Sequence, residues 1–351
     1  MKKAIFWTIA ALAVLLLLGA GSAVALDPIP QESGFSGFIR PGVGYLRFKS
    51  NMVASFLGYD LSDESIGSLN DEPDAQSTGL FLMPFSIEYT FASTRTQLFL
   101  GTDLTDLIRF DMSQQFGVKQ GIGSLGILQG GILFSGVPAK VWEDPYVVNQ
   151  DRDDTDRDSM GARLAWDRIF GSQLQVQYTY RKIDIDDEKS GQYLIGQGQL
   201  TSGEAKLLER DGKRHVADIL YRFRLGEHHT LAPAFIYSYN NIDGDAMKND
   251  SYDFQLTYAY LNRDTPFSFT GNVSIGQAEY DEDNPIYGKD QEDDRYGIQG
   301  TLYYRNPWNW GLFNSKPFNF YIGGAYTKVD SNIDFYTQEA IMTTAGVFFK
   351  W

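Results

Sequence analysis

Three histidines, two crowds of carboxylates and no cysteine make up the reactive inventory of this 351-residue chain. His228 and His229 are neighbours, and His215 stands between Asp211 and Asp218. A histidine beside acids can serve as a general base or activate a hydroxyl nucleophile. His228 and His229 sit in a short turn between two strand-like segments, and a lone histidine beside acids, such as His215, is usually a solvated side chain, so the expectation is no catalytic residue and no enzyme. The acids are better motivated, because hard divalent cations want clustered carboxylate oxygens. Asp151, Asp153, Asp154, Asp156 and Asp158 crowd one segment, and Asp281, Glu282, Asp283, Asp290, Glu292, Asp293 and Asp294 another. Counted from Asp154, Asp156 and Asp158 fit the third and fifth positions of a calcium-loop template. Ser159 replaces its glycine and Ala165 its final glutamate. The first cluster is therefore a weak divalent-cation candidate beside the simpler reading of an acidic surface. The absence of cysteine excludes disulfides, thiolate catalysis and cysteine-ligated zinc. With no phosphate-cradling glycine loop either, no cofactor is expected.

These side chains must be carried by strands. In the last dozen residues Ile341, Thr343, Ala345, Val347, Phe349 and Trp351 fall on one face, and Met342, Thr344, Gly346, Phe348 and Lys350 on the other. The same period of two recurs upstream. Ile108, Phe110, Met112, Phe116 and Val118 oppose Arg109, Asp111, Ser113, Gln115 and Gly117. Leu174, Val176, Tyr178 and Tyr180 oppose Gln173, Gln175, Gln177, Thr179 and Arg181. Strand-like segments lie near 36–49, 79–91, 95–103, 107–118, 122–140, 158–169, 173–183, 214–225, 229–242, 251–263, 266–280, 295–306, 317–329 and 339–351. Most exceed the ~9–11 residues that a tilted membrane strand needs. A terminal amphipathic strand suits a sheet that must close on its first strand and leave no edge in lipid. The pattern predicts an all-β, antiparallel up-and-down transmembrane barrel of about fourteen strands, with twelve or sixteen as alternatives.

Met1–Lys2–Lys3, the apolar run from Ala4 to Leu18 and Ala23–Val24–Ala25 read as a cleaved signal peptide over residues 1–25. Residues 26–351 are then one outer-membrane barrel domain with long acidic external loops. Cleavage leaves a net charge of -17, which argues against a nucleic-acid partner. Short turns alternate with long loops near 50–78, 141–157, 184–213, 281–294 and 330–338, the asymmetry expected of such a barrel. Trp308, Trp310 and Phe313 read as interfacial anchors in a longer turn at 307–316. The external segments 50–78, 141–158, 184–213, 243–250, 281–294 and 330–339 together carry -25, leaving +8 for the rest of the mature chain. Candidate pore-lining residues are accordingly Arg109, Asp111, Arg163, Arg181, Asp218, Arg222, Arg224, Arg295 and Arg305. The lumen is expected to be mildly basic beneath acidic loops.

Particular stretches carry a resemblance. Ser33-Gly34-Phe35-Ser36-Gly37-Phe38, Trp142-Glu143-Asp144-Pro145-Tyr146-Val147, Asn284-Pro285-Ile286-Tyr287, Glu292-Asp293-Asp294-Arg295-Tyr296 and Asp330-Ser331-Asn332-Ile333-Asp334-Phe335-Tyr336 resemble an uncharacterised family of gammaproteobacterial outer-membrane proteins, a domain of unknown function numbered 2860. The resemblance spans the mature chain and implies location and fold, with no substrate. Most of these motifs fall in loops or upper strand ends, where they would either gate and bind or simply pack to order the mouth.

About eight strands are filled by side chains, whereas sixteen to eighteen leave an aqueous channel. Fourteen strands with inward Gln, Thr, Ser and Arg point to a monomeric porin-like channel for passive diffusion of small solutes, constricted by loops 50–78 and 184–213. The alternatives are facilitated uptake of a hydrophobic compound, for which an eight-residue lead looks too short to form a plug, and a non-transport surface barrel displaying acidic loops. The expected partners are outer-membrane lipid and lipopolysaccharide, small solutes, and the barrel-assembly machinery, which would engage the strand ending at Trp351.

Overall fold

The computed structural model describes residues 29–102, 113–136, 139–306, 308 and 318–351. Fourteen antiparallel strands follow one another around a closed sheet. They are β1 (Gly34–Ile39 and Gly42–Lys49), β2 (Ala75–Leu82 and Phe85–Phe91), β3 (Thr96–Thr102), β4 (Ser113–Gly121), β5 (Ile127–Ser135), β6 (Asp154–Asp167) and β7 (Leu174–Ile185). The second half comprises β8 (Gly212–Tyr221 and Phe223–Leu225), β9 (His229–Ile242), β10 (Asn249–Leu261), β11 (Phe267–Asn284), β12 (Lys289–Arg305), β13 (Asn319–Ser331) and β14 (Gln338–Lys350). β14 pairs with β13 on one edge and with β1 on the other, from Gly42↔Gly346 to Lys49↔Glu339, so the ladder has no free end there.

Interruptions in the ladder have a local cause. Proline has no N–H to donate. β1 breaks at Pro41 and β2 at Pro84, and the Pro84 carbonyl accepts from the Arg40 N–H at 2.8 Å. β8 breaks at Arg222, next to Tyr221, which stands across from Pro233 of β9. The turn after β4 needs Gly126 at φ 110°, where an added Cβ would lie 2.3 Å from the Asp167 carbonyl oxygen.

Alternation along each strand sorts the side chains. Val43, Phe81, Phe116, Ile132, Leu164, Ile219, Val273, Ile298 and Ile322 stand exposed on the outer surface. The alternate residues along the strands turn inward and are often small or polar, as with Thr179, Ser238, Ser251 and Asn272, all buried. An apolar outside and a polar inside invert the arrangement of a water-soluble sheet and match a barrel solvated by hydrocarbon. Aromatic pairs bound the apolar band. Near the short-turn end these include Trp166–Phe170 at 5.4 Å and Phe267–Tyr304 at 5.0 Å. Towards the long-loop end Tyr180, His215 and Tyr239 form a row, with ring centroids 5.3 and 6.2 Å apart. Amphipathic rings of this kind favour a membrane–water interface.

Two connections depart from the sequence reading. Segment 122–140 is not one strand: β5 ends at Ser135, and a separate strand, Ala139–Trp142, pairs with the upper part of β6. The other edge of Ala139–Trp142 takes up Val53–Phe56, which turns back into Tyr59–Asp60. Loop 50–78 thus adds a hairpin to the sheet, packed with Phe56 and Leu61 against Leu46, Phe48, Leu80 and Leu82. Before β1 the lead is tied down, since Arg95 donates to the carbonyls of Ile29 and Pro30 at 2.7 Å each.

A charge placed on the outer face tests this sorting. Leu164→Arg is expected to cost ~2–4 kcal/mol of unfolding free energy in phospholipid vesicles. The inward Gln177→Arg is expected to cost less than ~1 kcal/mol, because its charge meets water. Urea unfolding of the reconstituted protein reads both, and equal costs would refute the assigned faces.

Candidate functional site

Inward positions on neighbouring strands bring charged residues into a network of pairs. Arg222 donates from Nη1 to Asp167 Oδ1 at 2.6 Å and from Nη2 to Gln175 Oε1. Arg163 Nε donates to Thr179 Oγ1 and Arg181 Nη2 to Ser113 Oγ, both at 2.9 Å. Asp218 accepts from Gln177 at 3.0 Å, Arg295 lies 3.1 Å from Asp253, and Lys119 lies 3.2 Å from Glu88. Arg40 donates to the Tyr303 hydroxyl at 3.3 Å with its guanidinium over the Tyr321 ring. Two cavities lie along this interior. One of about 250 Å³ is lined by Arg214, Asp253, Asn272, Arg295 and Gln338, with Phe48 beside them. The other, about 260 Å³, is lined by Arg40, Gln299, Thr301, Tyr303 and Thr344.

Over the long-loop end sits a second hydrophobic core, outside the sheet. Tyr146, Leu194, Leu200, Leu208, Ile333, Phe335 and Tyr336 are buried there, with Met52, Ile66, Leu69, Met247, Ile286 and Tyr287 packed around them. These residues come from six connections, so the described loops form one folded cap. Two short helices, α1 (Gln192–Gly196) and α2 (Ser202–Lys206), supply part of it. A capping box, in which Thr201 accepts from the Glu204 N–H and Glu204 from the Thr201 N–H, starts α2.

Polar anchors bind the loops to one another. Arg152, 4 % exposed, donates to the carbonyls of Asn51 at 3.0 Å, Pro145 at 3.3 Å, Asp63 at 2.5 Å and Glu64 at 3.3 Å. Its guanidinium lies 4.3 Å from the Trp142 ring, and burial lowers its pKa to about 10. Arg210 pairs with Glu188 at 2.8 Å and donates to the carbonyls of Trp142 and Glu143. The Asp144 carboxylate accepts from the N–H groups of Tyr146, Gly191 and Tyr193. Burial raises its pKa despite those three donors. At the centre the hydroxyls of Tyr146 and Tyr336 lie 2.7 Å apart, and Asn284 donates to Tyr336 at 2.8 Å.

Of the residues singled out from sequence, Arg163, Arg181, Asp218, Arg222 and Arg295 point inward as described. Arg224 and Arg305 share the inward phase but stand exposed at the short-turn rim, where Arg305 donates to the Arg263 carbonyl at 2.9 Å. Arg109 and Asp111 lie outside the described residues, as do Trp310 and Phe313; Trp308 is exposed and packs edge-on against Phe320. The acids at 151–158 are dealt out along a loop and a strand edge rather than gathered. Asp154 bonds Lys140 at 2.6 Å and Asp151 forms a bridge with Ser65. No group of three or more potential ligands able to hold a metal ion occurs among the described residues. His215 is not a solvated rim side chain: it faces outward in the aromatic row and its Nδ1 lies 2.7 Å from the Tyr178 hydroxyl. His229 makes the same kind of contact with Tyr258 at 2.7 Å.

The loop motifs meet here. Trp142, Asp144 and Tyr146 join Asn284, Tyr287, Phe335 and Tyr336 in the cap. The model of the family described as "Protein of unknown function (DUF2860)" matches residues 34–350, which takes in every one of them. The chain belongs to this family. No curated protein matches the sequence. Among solved structures, a loop-deletion mutant of OmpT, an outer membrane protein of Vibrio cholerae, is 10 % identical, with 91 % of this chain and 99 % of that chain covered at a TM-score of 0.40. The CymD monoaromatic hydrocarbon channel is 9 % identical, with 95 % of each chain covered at 0.43. An anion-selective porin from Comamonas acidovorans is 8 % identical, with 91 % and 99 % covered at 0.39.

The sequence reading allowed for loops packing to order the mouth but did not identify the apolar core that does so, because it treated these segments chiefly as acidic loops. The signal was present in Thr201-Ser202-Gly203-Glu204 and in the apolar residues Leu194, Ile195, Leu200, Ala205 and Leu208 around it.

The anchors give two expected outcomes. Burial raises the phenol of Tyr336 to about 12 and that of Tyr146 well above its ordinary value. A phenol whose pKa is raised by folding stabilises the cap below pH ~10 and loses that contribution as pH climbs towards 12. A nitroxide at the exposed Lys206 should therefore gain mobility reversibly between pH 10 and 12; unchanged spectra would contradict the buried phenols. Arg152→Met leaves four carbonyls without their donor and should cost the cap ~3 kcal/mol. Proteolysis within residues 50–74 should then accelerate about a hundredfold while the strands stay folded.

Proposed function

We propose that this protein is an outer-membrane channel, active as a monomer, for passive diffusion of small polar solutes, and that its mouth is shut at rest by the loop cap. The observation that carries this is the polar, charge-paired interior with cavities of about 250 and 260 Å³ inside a sheet whose outer face is apolar. A barrel serving only to display loops has no need of a wetted interior lined by Arg, Gln, Thr and Ser. A third cavity of about 750 Å³ continues from the second towards the short-turn end, sharing Arg40 and Tyr303 and lined further by Ser86, Glu88 and Gln97, so the interior stays polar along its length. The exposed apolar residues recur on successive strands around the barrel, which supports a monomer in lipid.

Several further elements belong to this proposal. Residues 1–25 direct export and are removed. The strand ending at Trp351 engages the assembly machinery. Short turns face the periplasm and the cap faces outward. Arg163, Arg181, Asp218, Arg222 and Arg295, together with the rim residues Arg224 and Arg305, line the solute path. No catalytic role is given in this proposal to His215 or His229, whose Nδ1 atoms lie 2.7 Å from the Tyr178 and Tyr258 hydroxyls on the outer face.

Planar-bilayer recording tests the channel. The native protein should show rare, small openings, and Arg152→Met or a Tyr146→Ala/Phe335→Ala variant should open at least ~10-fold more often. A lumen with more arginine and lysine than acid should favour anions in a salt gradient. Silent bilayers for both native and cap variants, with correctly folded barrels, would rule the channel out.

A further inference from the structure

The register of β6 to β9 lays three rows of side chains across the outer surface at the long-loop end. The lowest is aromatic: Tyr180 pairs with His215, and His215 with Tyr239. One step up, Lys182 stands directly opposite Lys213, with Met160 and Asn241 on either side. One step further, Asp158 stands opposite Asp184. Both lysines are exposed. Lys182 bonds both carboxylate oxygens of Asp184, at 2.6 and 2.8 Å, whereas Lys213 has no ion pair among the described residues.

Like charges facing each other across two strands are destabilising on their own. Asp184 already offsets the charge of Lys182, which leaves Lys213 as the lysine of the pair that a second anion would satisfy. The rows also fix the depth of that anion. Aromatic rings mark the boundary of the hydrocarbon, and the facing aspartates repel an anion from above, so it is held at the lysine row. An anion confined to that narrow layer of the membrane surface is the phosphate of a lipid headgroup. In the leaflet beside the cap, that lipid is a phosphorylated glycolipid.

We propose that Lys182 and Lys213, with His215 beneath them, form a binding site for the phosphate of an outer-leaflet glycolipid of the lipopolysaccharide class. This rests on the outer-membrane reading and is independent of conduction. Acyl chains would lie below the lysines over the apolar outer surface of β6 and β7, where Leu164 and Tyr178 are exposed. The site would orient the barrel and seal lipid against it without any shaped pocket.

The mature protein in detergent can be offered lipopolysaccharide, phosphatidylglycerol or inorganic phosphate, with bound molecules counted by native mass spectrometry. The native chain should retain lipopolysaccharide through steps that strip phosphatidylglycerol and phosphate. Lys182→Gln/Lys213→Gln should lower retention ~10- to 30-fold, the loss expected of two lysine contacts at an anionic surface. The arginine pair Lys182→Arg/Lys213→Arg should restore it, and Lys206→Gln on the cap should change nothing. Heat-dependent gel mobility verifies that each variant is folded. Equal retention by the glutamine variant, or equal retention of all three anions by the native chain, would overturn the site. Failure of the native protein to insert into any vesicle would instead overturn the membrane reading beneath it.

Discussion

Everything in this structure depends on the pairing of β14 with β1. In hydrocarbon no water is available to satisfy a backbone N–H or carbonyl, so a sheet can enter lipid only if it has no edge. The registers Gly42↔Gly346 to Lys49↔Glu339 supply that closure. Once the ends are joined, the pleat decides the rest. One set of side chains must meet lipid and the alternate set must share an enclosed interior, which is why arginines and aspartates can sit mid-strand without being driven out.

The interior and the cap solve different problems. Inside, charges are held in pairs such as Arg222–Asp167 and Arg295–Asp253, so the wall is polar without carrying many uncompensated charges. Above it, loops that are strongly acidic as a whole fold around Tyr146, Phe335 and Tyr336 and are tied by Arg152 and Arg210 to backbone carbonyls. A guanidinium suits that task because its fixed fork can serve several carbonyls at once. Tyr146, Asn284, Tyr287, Phe335 and Tyr336 all meet in this cap, where their packing and hydrogen bonds hold separate connections together.

Much of the barrel was legible in the sequence because a period of two needs only local information. The segment 229–242 coincides with β9, and the opposed faces of 173–181 reappear as the outward and inward faces of β7. What local pattern cannot give is the register between strands, since a slip of one residue would exchange the faces. Partners such as Arg222 with Asp167, or the rows of Lys182 with Lys213, follow only once register is set. Which loop residues meet in the cap was hidden for a related reason: the Tyr146 and Tyr336 hydroxyls meet across 190 residues of sequence. The break after β5 was missed because the hairpin at 53–60, far away in the chain, takes the other edge of Ala139–Trp142.

The chain has no cysteine, so single cysteines can be introduced one at a time without background. The most direct measurement is a walk of a fluorescent thiol label along β6 from Met160 to Trp166, in vesicles whose acyl chains carry bromine. The account predicts strong quenching at Ala162, Leu164 and Trp166, weak quenching at Gly161, Arg163 and Ala165, and intermediate quenching at Met160, which stands on the lysine row above the aromatic boundary. Quenching without that two-residue rhythm, or none at any position, would contradict it.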